Sequence, residues 1–456
     1  NIRYARVSTI STFQGKKAAY FTLGCKLNFA ETSAIGQRLR EVGVQAVSAG
    51  EVADICVVNT CSVTEVADHK CRQAIHKLVR QHPGAFVVVT GCYAQLRCEE
   101  LEAIEGVALV FGAADKTRVV PDTLSLLSNG RREVLSPAGT IPSSGSKEAV
   151  GELSRTTAIL EAYSSEERTR SFLKVQDGCD NFCAYCTVPY ARGLSRNIPI
   201  ADALTQARRI AALGVKEIVI TGVNTGDFGR TTDESFLELL KRLNDVEGIE
   251  RYRISSIEPN LITEEIVDWI ASGTKFQPHF HIPLQSGADE ILQRVRRRYT
   301  TDFFAERIDY IRSRMDPRPG GPEGNLKPYV FFGIDVIAGL PGETPELFEK
   351  TYEFLRDRVK PSFIHIFPYS RRPGTVAAAW KDQVKDSVKT ERVARLEALC
   401  ADLHEEFVAK NRGRLSQVLW ESDVKDGMMG GYSGNYIRVE RPYDPLKVNT
   451  IEDVIL

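Results

Sequence analysis

The chain has 456 residues, too many for one hydrophobic core and suited to two or three domains. With 43% hydrophobic and 26% charged residues it has the composition of an ordinary soluble globular protein, and no apolar run reaches membrane-spanning length. A formal net charge of −1 excludes a global basic field, so any nucleic-acid site has to be local.

The first 130 residues alternate between strand and helix signals. "KAAYFTLGC", "DICVVNTC" and "AFVVVTGC" are short apolar runs rich in aromatic and β-branched residues. Between the first two, "NFAETSAIGQRLREVG" has helical spacing and ends at Gly43, and Ser62 with Glu65 predicts a capping box for a further helix. The pattern is βαβ, hence a parallel sheet covered by helices. Residues 131–168, rich in Ser, Gly and Pro, read as a linker. A second series of six strand candidates separated by helical patterns follows over 169–388. It runs from "SFLKVQDG" through "EIVITGVN", "RYRISSIEP", "HFHIPLQSG" and "VFFGIDVIAGLPGE" to "SFIHIFPYS". Such a series predicts a partial (β/α)6 barrel with its chemistry at the C-terminal strand ends. A long helix and short strands joined by glycine turns occupy 389–456, the pattern of a small β-barrel or part of one.

Ten cysteines in a chain without a signal-peptide pattern point to a reducing cytoplasm and to thiols used as ligands or core residues. Cys179, Cys183 and Cys186 form C-x3-C-x2-C after the first barrel strand, with no fourth cysteine or histidine nearby. Three close thiolates suit an iron–sulfur cluster with one open iron, whereas structural zinc takes four ligands, one of which would have to be distant. Cys25, Cys61 and Cys92 each directly follow a predicted strand. In a parallel sheet those ends share one edge, so three thiolates are expected to converge there as a second open-iron site. Cys98 is the rival ligand and is expected on the next helix, facing away; Cys56, Cys71 and Cys400 read as small core residues.

The first of these spacings, with Tyr185 inside it, resembles the radical S-adenosylmethionine (SAM) signature. The two triads in this order, with "VQDGCDNFCAYCTVPYARG" and "TGCYAQ", resemble the methylthiotransferases of that superfamily over nearly the whole chain. "TLGCKLNFAET" and "NTCSVT" are most similar to the branch acting on N6-threonylcarbamoyladenosine at tRNA position 37. The sister branches act on isopentenyladenosine in tRNA or on a ribosomal-protein aspartate. The resemblance implies two 4Fe-4S clusters and two SAM per product, with Cys179, Cys183 and Cys186 in the catalytic cluster. It also implies a terminal TRAM-like RNA-binding domain, a low-potential electron donor such as flavodoxin or ferredoxin, and a sulfur source. The SAM contacts it suggests are Tyr185, Gly222, Asn224, Ser255, Glu258 and Gln285. Arg192, Arg196 and Arg298 are candidates for the SAM or threonyl carboxylate, and the basic runs at 294–300, 370–375 and 410–414 for a tRNA surface. The rival of another class is a zinc-dependent RNA-binding protein without catalysis.

Overall fold

The computed structural model of the chain describes residues 13–48, 50–129, 159–164, 169–318 and 326–456. Most of the expected linker lies outside these residues. By contact density the chain divides into two compact units, Asn1–Ser164 with Thr187–Leu194, and Ser165–Cys186 with Ser195–Leu456.

The first unit is a parallel sheet of five strands in the order β2-β1-β3-β4-β5. They are β1 (Lys17–Thr22), β2 (Gln45–Ala46), β3 (Ile55–Thr60), β4 (Phe86–Gly91) and β5 (Val107–Phe111). The helices are α1 (Lys26–Glu41), α2 (Glu65–Gln81), α3 (Cys92–Leu96), α4 (Cys98–Glu102) and α5 (Val119–Asn129). All six β3 residues are buried, and their side chains alternate between two cores. Ile55 and Val57 pack with Ile35 and Leu39 of α1, whereas Cys56 and Val58 pack with Cys71 and Ile75 of α2. The sheet is therefore covered on both faces. The sequence reading found β1, β3 and β4 but not the short edge strand β2 or the apolar β5. It also placed the α2 cap wrongly: Thr64, not Ser62, accepts from the Ala67 amide, and Ser62 is buried beside Cys61. Counted from Thr64, the residue whose amide needs an acceptor is Ala67, so the hydroxyl at 64 wins.

The second unit contains β6 (Arg170–Lys174), β9 (Glu217–Thr221), β10 (Arg251–Ile254), β11 (His279–Gln285), β12 (Phe331–Ala338) and β13 (Phe363–Pro368). They form two parallel three-stranded sheets, and the bridges Tyr252↔Phe276 and Ser256↔His281 join β10 to β11. Six strands in sequence order make the expected open barrel, with β6 and β13 at its edges. A two-residue ribbon, β7 (Gln176–Asp177) with β8 (Arg196–Asn197), stands just beyond β6. Between the strands come α7 (Ile200–Ala212), α8 (Phe236–Asn244), α9 (Glu264–Ala271), α10 (Asp289–Arg294), α11 (Thr301–Met315) and α12 (Pro345–Glu353). The remaining short helix, α6 (Val188–Arg192), belongs to the first unit.

Helix α13 (Asp386–Asn411) packs on β13 and leads to an antiparallel sheet in the order β16-β15-β14-β17. These strands are β14 (Leu415–Lys425), β15 (Met428–Ser433), β16 (Arg438–Pro442) and β17 (Ile451–Ile455). Both end strands have one free edge, so the terminal element is a curled half-barrel. Buried arginines fasten it to the N-terminal strand ends. Arg251 and Arg253 both donate to Glu217, at 2.8 and 2.9 Å, and reach on to the carbonyls of Tyr432, Ser433 and Gly434. Glu217 is fully buried, and despite that burial the arginines hold its carboxyl down at about 2. Glu217→Ala would strand two buried guanidinium groups. We expect it to cost about 3–5 kcal/mol, read as a lowered chemical-denaturation midpoint.

Candidate metal centres

The C-terminal ends of β1, β3 and β4 lie side by side, and each is followed by one of Cys25, Cys61 and Cys92. Two glycines make the approach close. Gly24 has φ +103°, and a Cβ on it would lie 2.7 Å from Cys61 Cβ and 2.9 Å from its Sγ. Gly91 has φ +106°, and a Cβ there would lie 2.3 Å from the Thr60 carbonyl oxygen. Neither position tolerates a side chain. Asn28 ties the loops together, donating to the Leu23 and Thr60 carbonyls at 2.7 and 3.0 Å, while Thr60 Oγ1 donates to the Thr90 carbonyl. Cys25 is exposed and Cys61 and Cys92 are buried. Burial, then the proximity of Cys92, pushes the Cys61 thiol up to about 12; burial raises Cys92 too, against the pull of Arg192 and Lys116. Thiols held protonated in this way release their protons when a metal binds. Cys25 caps the N-terminus of the 16-residue α1, whose dipole favours an anion there.

Beside this triad lies a buried charge network that the sequence reading missed. Glu31 accepts from Lys116 at 2.7 and 2.9 Å and from Arg192 at 3.2 Å, and Arg192 also donates to Asn28 Oδ1. Arg192, a sequence candidate for a carboxylate contact, is thus engaged in the first unit. Cys98 opens α4 and bonds Glu102 at 3.3 Å. Cys56, Cys71 and Cys400 are buried.

In the second unit Cys179, Cys183 and Cys186 follow β6 and the β7–β8 ribbon. The loop needs φ +74° at Gly178 and φ +45° at Phe182, and the Cys186 amide donates back to the Cys183 carbonyl at 2.9 Å. Cys183 is buried, and Cys179 and Cys186 are half-buried. Burial pushes the Cys179 thiol up to about 12, with Cys183 adding to it. Tyr185 is raised above its ordinary range by burial, and Arg297, Cys183 and Cys186 act on it.

The other predicted residues gather at the same end of the barrel. Gly222 admits no side chain, because a Cβ would lie 2.8 Å from Gln176 Oε1, which accepts from the Val223 and Asn224 amides. Asn224 and Ser255 are buried; among the described residues Ser255 Oγ has no hydrogen-bond partner, whereas the Asn224 side chain lies against Asp227. A buried polar atom left unpaired just beyond a strand end fits a polar ligand such as the aminoacyl part of SAM. Glu258 is committed to an ion pair with Arg297, although burial raises its pKa. Gln285 ends β11 with φ +72°. Arg297 also donates to Cys183 Sγ at 3.3 Å and lies over the Tyr299 ring. The sequence places it in a basic run expected to face RNA, and its position three residues beyond α10 carries no signal of this role. Of the other arginine candidates for a carboxylate, Arg196 is buried against Asp177, and Arg298 donates to the Asp180 carbonyl at 3.1 Å.

Three thiols leave a tetrahedral zinc ion one ligand short, whereas an iron–sulfur cluster can keep one iron open. Among the described residues, the ligating atoms of His281, Asp335 and His365 lie within 4.8 Å of one another.

A family model described as the Radical SAM superfamily matches residues 173–355, and one described as uncharacterized protein family UPF0004 matches residues 17–112. The threonylcarbamoyladenosine tRNA methylthiotransferase MtaB of Bacillus subtilis is 39% identical over 92% of this chain and 89% of its own length. The protein of that name from Aquifex aeolicus is 36% identical over 87% and 91%. A tRNA-2-methylthio-N(6)-dimethylallyladenosine synthase of Wolinella succinogenes is 32% identical over 90% and 89%. Among solved structures, a radical S-adenosylmethionine methyltransferase from Kitasatospora setae aligns with a TM-score of 0.56 and 14% identity. It covers 80% of this chain and 75% of that one, a likeness of fold. Fold and relatives together define a radical SAM transferase. The chain belongs to the methylthiotransferase family, in its MtaB-type branch.

Proposed function

We propose that the chain adds a methylthio group to carbon 2 of N6-threonylcarbamoyladenosine at position 37 of tRNA. The observation that carries this reading is the 39% identity to an enzyme of that name over 92% of this chain and 89% of its own length. In this reading Cys25, Cys61 and Cys92 hold one 4Fe-4S cluster, and Cys179, Cys183 and Cys186 hold a second beside SAM. Together with SAM, these groups supply homolytic removal of an unactivated hydrogen, which no side-chain base achieves on an aromatic C–H at neutral pH.

The chain's own residues orient and shield. Gly222 leaves room for close approach, and Asn224 and Ser255 meet the aminoacyl end of SAM. Arg297, fixed by Glu258, places positive charge beside Cys183. Tyr185 packs the loop and Gln285 closes the strand end. The working domain division is 15–130 for the first cluster, 131–168 for the linker, 169–388 for the SAM barrel and 389–456 for the TRAM-like RNA-binding part. A low-potential donor such as flavodoxin or ferredoxin would supply the electron and a separate source the transferred sulfur, and a tRNA substrate would make the cytoplasm the compartment.

Anaerobic incubation with SAM and reductant, followed by mass spectrometry of bulk tRNA and ribosomal protein, tests the reading. Methylthiolated threonylcarbamoyladenosine is expected. A methylthio group on isopentenyladenosine or on a protein aspartate would move the chain to a sister branch.

The basic runs need correction as an RNA surface. Arg372 is buried, and Arg371 donates to the Ala378 carbonyl, so a charge reversal there would disturb folding before it tested binding. Arg294 is paired with Asp382, and Arg414 donates to the Lys327 carbonyl. Arg412 is exposed. Arg412→Glu is expected to weaken tRNA binding for all sequences alike and to reduce the slope of log K against log salt by about 1, measured by salt-dependent filter binding.

A further inference from the structure

Strand β13 ends the open barrel, so among the described residues no strand pairs with its outer edge. Along it runs a groove of about 440 Å³ lined by β13 residues 363–367 and by Glu397, Cys400 and His404 of α13. That volume falls within the range of small-ligand sites. Phe363, His365 and Phe367 alternate onto one face of the strand, and Phe363 and Phe367 remain 36% and 44% exposed. Two large aromatics left open beside a cleft mark surface kept for a partner.

The ring between them is fixed. His365 stacks on His281 of β11, with ring centres 4.7 Å apart and planes 15° from parallel, and Phe363 meets it edge-on at 4.9 Å. β12 separates β11 from β13, and between the two rings it carries Gly333, which has no side chain. A Cβ on that glycine would lie 3.4 Å from His365 Nε2. Asp335 Oδ1 accepts from His281 Nε2 at 2.6 Å and holds that ring in turn. The closeness of these three residues suggests a metal ion, but stacking opposes it. In-plane lone pairs of parallel imidazoles do not converge on one ion at about 2.0–2.1 Å. The arrangement suits a flat ligand. The Ile257 amide donates to the His281 carbonyl at 3.1 Å, and the next residue, Glu258, pairs with Arg297 beside Cys183, so the groove's supporting residues adjoin the second thiol triad.

We propose that this groove seats the purine ring of the target nucleotide, with His365 and Phe367 as its stacking platform and His281 and Asp335 as positioning residues. The proposal rests on the tRNA reading above. A base that undergoes chemistry has to leave its stack, and an aromatic platform compensates the lost stacking without demanding a particular base edge.

The test uses the full chain and an anticodon stem-loop carrying 2-aminopurine, whose fluorescence is quenched by stacking, at the target position. With saturating parent protein the probe is expected to stay quenched. Phe367→Leu and His365→Leu complexes should brighten and bind about 5- to 150-fold more weakly, while Phe367→Tyr stays dark. Gly333→Val, which wedges the two histidines apart, should brighten it as His365→Leu does. Thermal melts by circular dichroism identify any variant that is not folded, and the folded leucine variant then decides. Leucine variants as dark and as tight as the parent would overturn the proposal, as would a bright parent complex. A parent that fails to bind the stem-loop at all would overturn the tRNA reading itself.

Discussion

Cys25→Ala is expected to abolish methylthio product while leaving reductive SAM cleavage, read as 5′-deoxyadenosine, within about threefold of the parent. The two triads occupy separate units, so loss of a ligand in one leaves the other's ligand set whole. Cys25 is the exposed member of its triad and caps α1, so removing its sulfur costs little packing. Loss of an outer partner of a metal site costs about 10–100-fold. Loss of one of three ligands to a cluster should exceed that and reduce product at least a hundredfold, to about 1% or less of the parent by mass spectrometry of tRNA. Product at parental level would mean that the first triad has no part in the chemistry.

Cys183→Ala should behave differently: both deoxyadenosine and methylthio product are expected to fall to background. Cys183 is buried in the loop beyond β6, and Arg297 donates to its sulfur. Its removal would take away a proposed cluster ligand and leave Arg297 with one partner fewer in a buried site. Deoxyadenosine is the discriminating readout, because a purely structural defect in the first unit would leave it intact. Sustained SAM cleavage by this variant would contradict the assignment of Cys179, Cys183 and Cys186.

Much of this was legible in the sequence because period and punctuation agree. Cys25, Cys61 and Cys92 sit at strand ends, and a parallel sheet places such ends on one edge. The run at 171–178 and five later strands announce a barrel for the same reason. What stayed hidden depends on contacts between distant residues. Lys116 and Arg192 lie 85 and 161 positions from Glu31 along the chain, and none of the three signals anything singly. Arg297 looked like one of several arginines in a solvated run, yet the fold buries it against Glu258 and Cys183. Gly333 gave no sign of its use, because its role is the space it leaves between strands on either side. The β2 strand of two residues is too short to show a period at all.

The account depends most on two thiol triads that each hold a cluster. The measurement that meets it most directly is iron and labile sulfide per chain after anaerobic reconstitution of the parent and of the two triple Cys→Ala variants. About eight of each are expected for the parent and about four for either variant. A parent that takes up only about four, undiminished when Cys25, Cys61 and Cys92 are replaced, or that keeps tightly bound zinc instead, would contradict it.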